Sequence, residues 1–187
     1  MLNKTELRRS LLATRHAIPA ELRARWDAAI GVRVQAWLAA HPVRLLGVYW
    51  PINSEPDLRT TYEALAARGV QLALPAVVSR DAALRFAAWT PGDPLVKDAF
   101  GVSIPAAGGA VQPDAMLVPC VGFNAGHIRL GYGGGFYDRT LAASPHPLAL
   151  GIAYQCALGI FEGDAHDIAL DAIITECSPI ADSSNTL

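Results

Sequence analysis

Lysine is almost missing from this chain: Lys4 and Lys97 stand alone among 15 cationic residues, which face 17 acidic ones for a formal charge of −2. Without a basic stripe there is no electrostatic footprint for a nucleic-acid backbone, so nucleic acid is excluded as an expected partner. Long apolar runs are missing as well. The longest, such as residues 116–121, fall far short of the ~20 residues a membrane span needs. The first residues set Lys4, Glu6, Arg8 and Arg9 among single leucines, unlike the apolar core of roughly 7–15 residues in a secretory signal. A cytoplasmic protein without a membrane partner is expected. Cysteine is scarce: Cys120, Cys156 and Cys177 are three, spaced to suit neither a disulfide framework nor a CxxC site. They read as buried thiols in strands, because a free cysteine behaves as a small apolar residue. No two histidines fall at ligand spacing, which argues against zinc, and His16, His41, His127 and His146 read as isolated surface or loop residues. A GxSxG elbow, a Ser-His-Asp order and a cysteine with a partnered histidine are all missing, so nothing points to a nucleophilic enzyme.

What the chain does have is apolar material. Of its 187 residues 52% are hydrophobic and 17% charged, enough to build a large core and too apolar for intrinsic disorder. One domain over 1–187 is expected, with a frayed polar tail over 178–187. Leu7, Leu11, Leu12 and Ile18 predict a helix over 5–17, ended by Pro19. Pro19 then opens a second helix with the stripe Leu22, Trp26, Ile30, Val34 and Trp37, stopped at His41-Pro42. Beyond it, short apolar runs alternate with helical or turn segments. Strands are predicted at 44–50, 70–74, 84–89, 114–123, 147–154 and 171–176, and helices at 57–68 and 136–143, with 93–113 mostly loop. Apolar strands alternating with helices imply an α/β protein with a mostly parallel sheet covered on both faces.

One segment carries strong local information: Gly126-His-Ile-Arg129-Leu-Gly131-Tyr-Gly133-Gly134-Gly135-Phe-Tyr137-Asp138-Arg139. It follows the 114–123 strand, and in an open α/β sheet ligands sit beyond the carboxyl ends of strands. Its glycines let backbone amides converge on an anion, and a helix N-terminus follows. The spacing fits neither GxGxxG nor GxxxxGK[ST], so a plain glycine-rich turn competes with a phosphate loop. The company of Arg129, Tyr132, Tyr137, Asp138 and Arg139 favours the loop, because a turn needs none of them while phosphate needs a cation and Mg²⁺ a carboxylate oxygen. His166-Asp167 reads either as a second metal carboxylate or as a solvated loop. Lys4 and Arg8, one helical turn apart, read either as a phosphate clamp or as a solvated helix face. Glu55 reads as a ligand contact or, with Pro56, as a helix cap.

Taken together these residues resemble the 5-formyltetrahydrofolate cyclo-ligase family, also called methenyltetrahydrofolate synthetases. The resemblance runs through Lys4-x-x-x-Arg8, Tyr49-Trp-Pro-Ile-Asn-Ser-Glu55-Pro-Asp57, Leu117-Val-Pro-Cys-Val-Gly-Phe123, the 129–139 loop, and His166-Asp167 leading to Ile174-Thr-Glu176. It implies an α/β/α three-layer sandwich like those of sugar-phosphate isomerases and coenzyme A transferases. It also implies conversion of 5-formyltetrahydrofolate to 5,10-methenyltetrahydrofolate with ATP as co-substrate and Mg²⁺, releasing ADP and phosphate. By the same resemblance ATP is bound by Lys4, Arg8, Arg129, Leu130, Gly131, Tyr132, Gly133, Gly134, Gly135, Phe136 and Tyr137. The folate is bound by Trp50, Glu55 and residues Tyr132, Gly133, Gly134, Gly135 and Phe136, and Mg²⁺ by Asp138 and Asp167. Small-molecule substrates and a monomer are expected. Three positions depart from the commoner pattern: Tyr132 and Gly134 stand where some members have Arg and Lys, and Phe136 where Tyr is usual. A folate- or nucleotide-binding module without turnover is therefore the alternative. An isomerase- or transferase-like enzyme is a weaker one, since no catalytic Glu or Lys motif is evident. Gln155 is left out of the site.

Overall fold

The structure, a computed structural model, describes residues 3–143, 145 and 147–177. The expected tail over 178–187 and the reading of His146 lie outside the described residues.

Two helices open the chain. In α1 (Lys4–His16) a capping box fixes the start: Asn3 Oδ1 accepts from the Glu6 amide at 2.9 Å, and Glu6 Oε2 accepts from the Asn3 amide at 3.0 Å. Lys4 and Arg8 thus hold defined positions at its first turns. In α2 (Ala20–Ala40), Ile30, Val34 and Leu38 are buried one turn apart, with Pro19 as the residue before its first turn. Next come β1 (Leu45–Gly47), α3 (Arg59–Ala67), β2 (Gln71–Ala76) and β3 (Arg85–Trp89). They are followed by the short strands β4 (Leu95–Lys97), β5 (Ser103–Pro105) and β6 (Ala110–Val111). After β7 (Ala115–Pro119), β8 (Gly122–Phe123) and β9 (Arg129–Leu130) lie α4 (Phe136–Ala142), β10 (Leu148–Ile152) and β11 (Ala172–Ile174).

Seven strands form one mixed sheet in the order β11-β10-β7-β1-β2-β3-β6. The central pairs β10/β11, β10/β7, β7/β1 and β1/β2 are parallel, and β3 and β6 add an antiparallel edge. Successive strand residues point to opposite faces. Leu46, Leu72, Leu74, Leu117, Leu150 and Ile152 pack with Ile30 and Val34 of α2 and with Tyr62 and Leu65 of α3. Leu45, Ala73, Met116, Val118, Ala149 and Ile173 pack on the other face with Leu141 of α4 and Leu170. Helices thus surround a mostly parallel sheet, as the alternation of strands and helices predicts. The chain leaves β1 towards β2 on one side and β7 towards β10 on the other. β1 and β7 are neighbours, so their carboxyl ends open on the crevice where such a sheet takes its ligand.

Residues 93–113 are mostly loop, as expected, but they also hold three short strands that the pattern does not show: β4 pairs with β5, and β6 extends the sheet edge beside β3. Strands of two or three residues are too short to show a period of two. The 114–123 run is not one strand. It breaks after Pro119, and β8 turns off to pair with β9. Cys156 and Cys177 are exposed, outside the strands, and Cys120 alone is a buried thiol, placed just past β7. His127 lies in a loop, as expected, but it is buried there, because Asn124 Oδ1 accepts from the amides of Gly126 and Ile128 and folds the turn beneath Leu170.

Candidate active site

A cleft of about 600 Å³ lies at the carboxyl ends of the central strands, within the size range of small-molecule sites. Every residue that the resemblance implicates lines it: Lys4, Arg8, Trp50, Glu55, the whole run from Arg129 to Asp138, and Asp167. Residues 160 positions apart in sequence meet here because α1, the loop after β1, the glycine loop before α4 and the loop before β11 all end on the same crevice.

The glycine loop forms one wall. Gly133 and Gly135 adopt φ of 97° and 65°, which side chains with a Cβ strongly disfavour. Among the described residues the amides of Tyr132, Gly133, Gly134 and Gly135 donate to no protein acceptor, so they are free for an anion. The loop is held from both sides. Arg8 Nε donates to the Gly131 carbonyl at 2.7 Å, and Arg139 Nη2 donates to those of Gly134 and Arg80 at 2.7 and 2.8 Å. Phe136 lies between the Arg139 guanidinium, 5.2 Å from its ring centre, and the edge of Phe100.

Around Lys4 and Arg129, both candidate metal ligands sit in ion pairs. Asp138 Oδ1 accepts from Arg129 Nη2 at 2.7 Å, and Asp167 Oδ2 accepts from Lys4 Nζ at 3.0 Å and from the Asp164 amide at 2.7 Å. Lys4 also reaches Asp164 at 2.7 Å. Burial works against the charge of Asp167, yet the Asp164 amide and Lys4 more than offset it and hold the carboxyl below its usual range. Among the described residues no three His, Cys, Asp or Glu side chains cluster as a dedicated cage. Asp138 Oδ2 and Asp167 Oδ1 stay outside these ion pairs. One or two carboxylate oxygens, completed by water and substrate phosphates, are what Mg²⁺ asks of a protein, so this donor set fits that ion. His166 is exposed and lines no part of the cleft.

After β1, Asn53 and Ser54 both take left-handed backbone at φ of 48° and 59°, a costly pair of conformations for residues with a Cβ. The resulting turn, closed by the Glu55 amide on the Ile52 carbonyl at 2.9 Å, aims Glu55 into the cleft. Glu55 does not cap α3, which begins at Arg59. Its Oε2 accepts from the Ile52 amide at 2.9 Å and its Oε1 from the Tyr132 hydroxyl at 2.8 Å. Burial pushes its carboxyl above the usual range, against those two hydrogen bonds and the nearby Arg15 charge. Burial, together with the Glu55 charge, pushes the Tyr132 hydroxyl up to about 12, so it stays a donor at neutral pH. Trp50, which lines the same cleft, is half-buried, with Arg59 stacked 5.3 Å from its ring centre and Trp89 edge-on at 6.0 Å.

Sequence reasoning missed Arg15. It is buried and donates to the carbonyls of Asn53 and Cys120 at 3.0 and 3.2 Å and to the Tyr132 hydroxyl at 2.6 Å. It thereby ties α1 to the turn after β1, to the end of β7 and to the glycine loop. A signal was available: Lys4, Arg8 and Arg15 fall on one stripe of a 3.6-residue helix. Phe100 and Val102, from the β4–β5 hairpin, also line the cleft, and no local pattern announced them. Gln155 lies outside it, its Oε1 accepting from the Thr175 hydroxyl at 2.9 Å. Among the described residues the cleft is lined by no serine, threonine or cysteine, and burial pushes the Cys120 thiol, just past β7, up to about 12.

Comparison with known proteins places this geometry. The family model described as the 5-formyltetrahydrofolate cyclo-ligase family matches residues 1–176. A 5-formyltetrahydrofolate cyclo-ligase of Mycolicibacterium smegmatis is 30% identical over 188 residues, covering 92% of this chain and 93% of its own. That of Mycoplasma pneumoniae is 28% identical, over 94% of this chain and 99% of its own. The solved structure of a 5,10-methenyltetrahydrofolate synthetase from Mycoplasma pneumoniae superposes with a TM-score of 0.78 at 28% identity, over 94% of this chain and 99% of that one. The synthetase from Aquifex aeolicus gives 0.82 at 28% identity, over 95% and 92%. With its sheet, its cleft and its matching motifs from the first helix to the last strand, this chain belongs to the 5-formyltetrahydrofolate cyclo-ligase family.

Proposed function

We propose that this protein converts 5-formyltetrahydrofolate to 5,10-methenyltetrahydrofolate at the expense of ATP, within the cleft between the glycine loop and Glu55. The observation that carries the reading is the polarity of that cleft. Lys4, Arg129, free loop amides and the three carboxylates of Asp138, Asp164 and Asp167 occupy one end, and the buried carboxylate of Glu55 occupies the other, in a cleft that Trp50 also lines. The first end suits a triphosphate and Mg²⁺, the second a flat heterocycle with paired N–H donors.

The formyl oxygen of the substrate is a poor leaving group. Transfer of the terminal phosphoryl group of ATP to that oxygen, with ADP departing, turns it into a good one. The lone pair of N10 then attacks the formyl carbon, the N10 proton is lost to phosphate or solvent, and the C–O bond breaks with its electrons on phosphate. Such a sequence asks the protein for positioning and charge neutralisation rather than a nucleophile, in keeping with the inert thiol and the missing triad. Arg8, Lys4 and the loop amides neutralise and orient the phosphates, and Asp138 and Asp167 would hold Mg²⁺, which supplies further charge neutralisation. Glu55 accepts the heterocycle's N–H groups, because a carboxylate takes two parallel hydrogen bonds, and Trp50 offers an apolar wall. The cleft is built by one chain, which supports a monomer, and dependence on ATP and a reduced folate fits the cytoplasm.

The test is to mix the protein with 5-formyltetrahydrofolate and Mg²⁺ and follow methenyl absorbance with and without ATP. ATP-dependent product is expected. Saturable binding without product would leave a binding module, and neither signal would reject the reading. Within it, Arg8→Ala is expected to raise the KM for ATP roughly tenfold or more, the scale of one charge-assisted hydrogen bond, and to move the KM for the folate far less. Equal effects on both would remove Arg8 from the nucleotide end.

A further inference from the structure

Each oxygen of Glu55 has a hydrogen-bond partner within the chain. Oε2 holds the Ile52 amide, and Oε1 holds the Tyr132 hydroxyl, which in turn accepts from Arg15 Nη2 at 2.6 Å. The two partners differ in their freedom. The Ile52 amide is locked into the turn, since the Glu55 amide returns a bond to the Ile52 carbonyl. Tyr132 stands between Gly131 and Gly133, in a loop whose amides over 132–135 have no protein acceptors among the described residues, and is 43% exposed although its hydroxyl reaches a carboxylate that is 3% exposed. A carboxylate oxygen can accept a second bond, but Glu55 is only 3% exposed, so a bulky heterocycle that presents N–H donors to it must move the exposed phenol aside to reach Oε1.

Resting on the folate reading of this cleft, we infer that Tyr132 is a specificity-determining self-ligand. It occupies the Glu55 subsite with a mimic of the substrate's N–H donor, tethers the glycine loop across the folate end, and is displaced when the heterocycle docks. A ligand without such donors cannot replace the lost bond, because the buried Glu55 oxygen would then be left unpaired. The tether therefore discriminates against apolar intruders at the cost of some substrate affinity. Arg15 is a positioning residue: fixed by the Asn53 and Cys120 carbonyls, it holds the phenol in register.

Tyr132→Phe keeps the ring and removes the bond. Titrated calorimetrically with 5-formyltetrahydrofolate in the absence of nucleotide, the variant is expected to bind roughly tenfold more tightly than the wild type, the scale of one hydrogen bond to a charged acceptor. Equal or weaker binding would overturn the inference and make the phenol a spectator or a direct substrate contact. A ligand-free measurement tests the tether itself. Melting temperatures of Tyr132→Phe, Glu55→Gln and the double variant should be non-additive, the double variant melting no lower than the less stable single one. Additive losses would overturn the tether. Non-additive melting with no folate heat from either wild type or Tyr132→Phe would keep the tether and reject the folate reading.

Discussion

Asp138→Asn is expected to lower ATP-dependent turnover by roughly a hundredfold or more, the usual loss when a group that stabilises transferring charge is removed. It should also cost about 1–3 kcal/mol of stability. The structure places Asp138 against Arg129, with side-chain exposures of 24% and 5% and a contact of 2.7 Å. Neutralising one partner strands a buried guanidinium, which is costly even though the asparagine carbonyl still accepts one bond. The stability loss is read from urea unfolding. The catalytic loss is read at a temperature where the variant is fully folded, over a series of Mg²⁺ concentrations. A variant that turns over normally, with an unchanged Mg²⁺ requirement, would take Asp138 out of the site.

Glu55→Gln is expected to weaken 5-formyltetrahydrofolate binding by roughly ten- to a hundredfold while nucleotide binding changes little. Four acidic residues line the cleft, and Asp138, Asp164 and Asp167 are paired with Arg129 or Lys4. Glu55 is the one of the four that forms no ion pair among the described residues, which makes it the carboxylate proposed for the heterocycle. A glutamine accepts one N–H and turns its own NH₂ towards the other, so a charge-assisted pair becomes one neutral bond and one clash of donors, a difference on the order of 1.5–3 kcal/mol. Acidification should reproduce the effect. Burial holds the Glu55 carboxyl above the usual glutamate range despite the Ile52 and Tyr132 bonds and Arg15. The charged form is therefore lost at a higher pH than in an exposed glutamate, and folate affinity should begin to fall there. That acid limb should be missing from Glu55→Gln, and a limb that persists would assign it to another group.

The elements with long periodic stripes were legible beforehand. Leu22, Trp26, Ile30 and Val34 announced α2, and the apolar runs around Leu46, Leu72, Leu117 and Leu150 announced the sheet. The β4–β5 hairpin was not legible, because three-residue strands carry no period and their glycines and prolines speak only for turns. That the glycine loop and its company line a cleft was readable from the residues, and Lys4, Arg8, Trp50, Glu55 and Asp167 came in through the resemblance, but how these side chains are wired together was not legible. Lys4 meets Asp167 across 163 positions, and no local rule pairs them. Arg15 escaped for another reason. An arginine at helical spacing from Lys4 and Arg8 reads as one more solvated charge, and its burial is set by the turn at Asn53 and by Cys120, which come from distant parts of the chain.

The central claim is that the cleft delivers the terminal phosphoryl group of ATP to the formyl oxygen, and an isotope can follow that atom. With substrate carrying ¹⁸O in the formyl group, the inorganic phosphate released should contain one labelled oxygen for each methenyl product formed. Unlabelled phosphate accompanying product, or no ATP-dependent phosphate even at stoichiometric enzyme, would contradict the account.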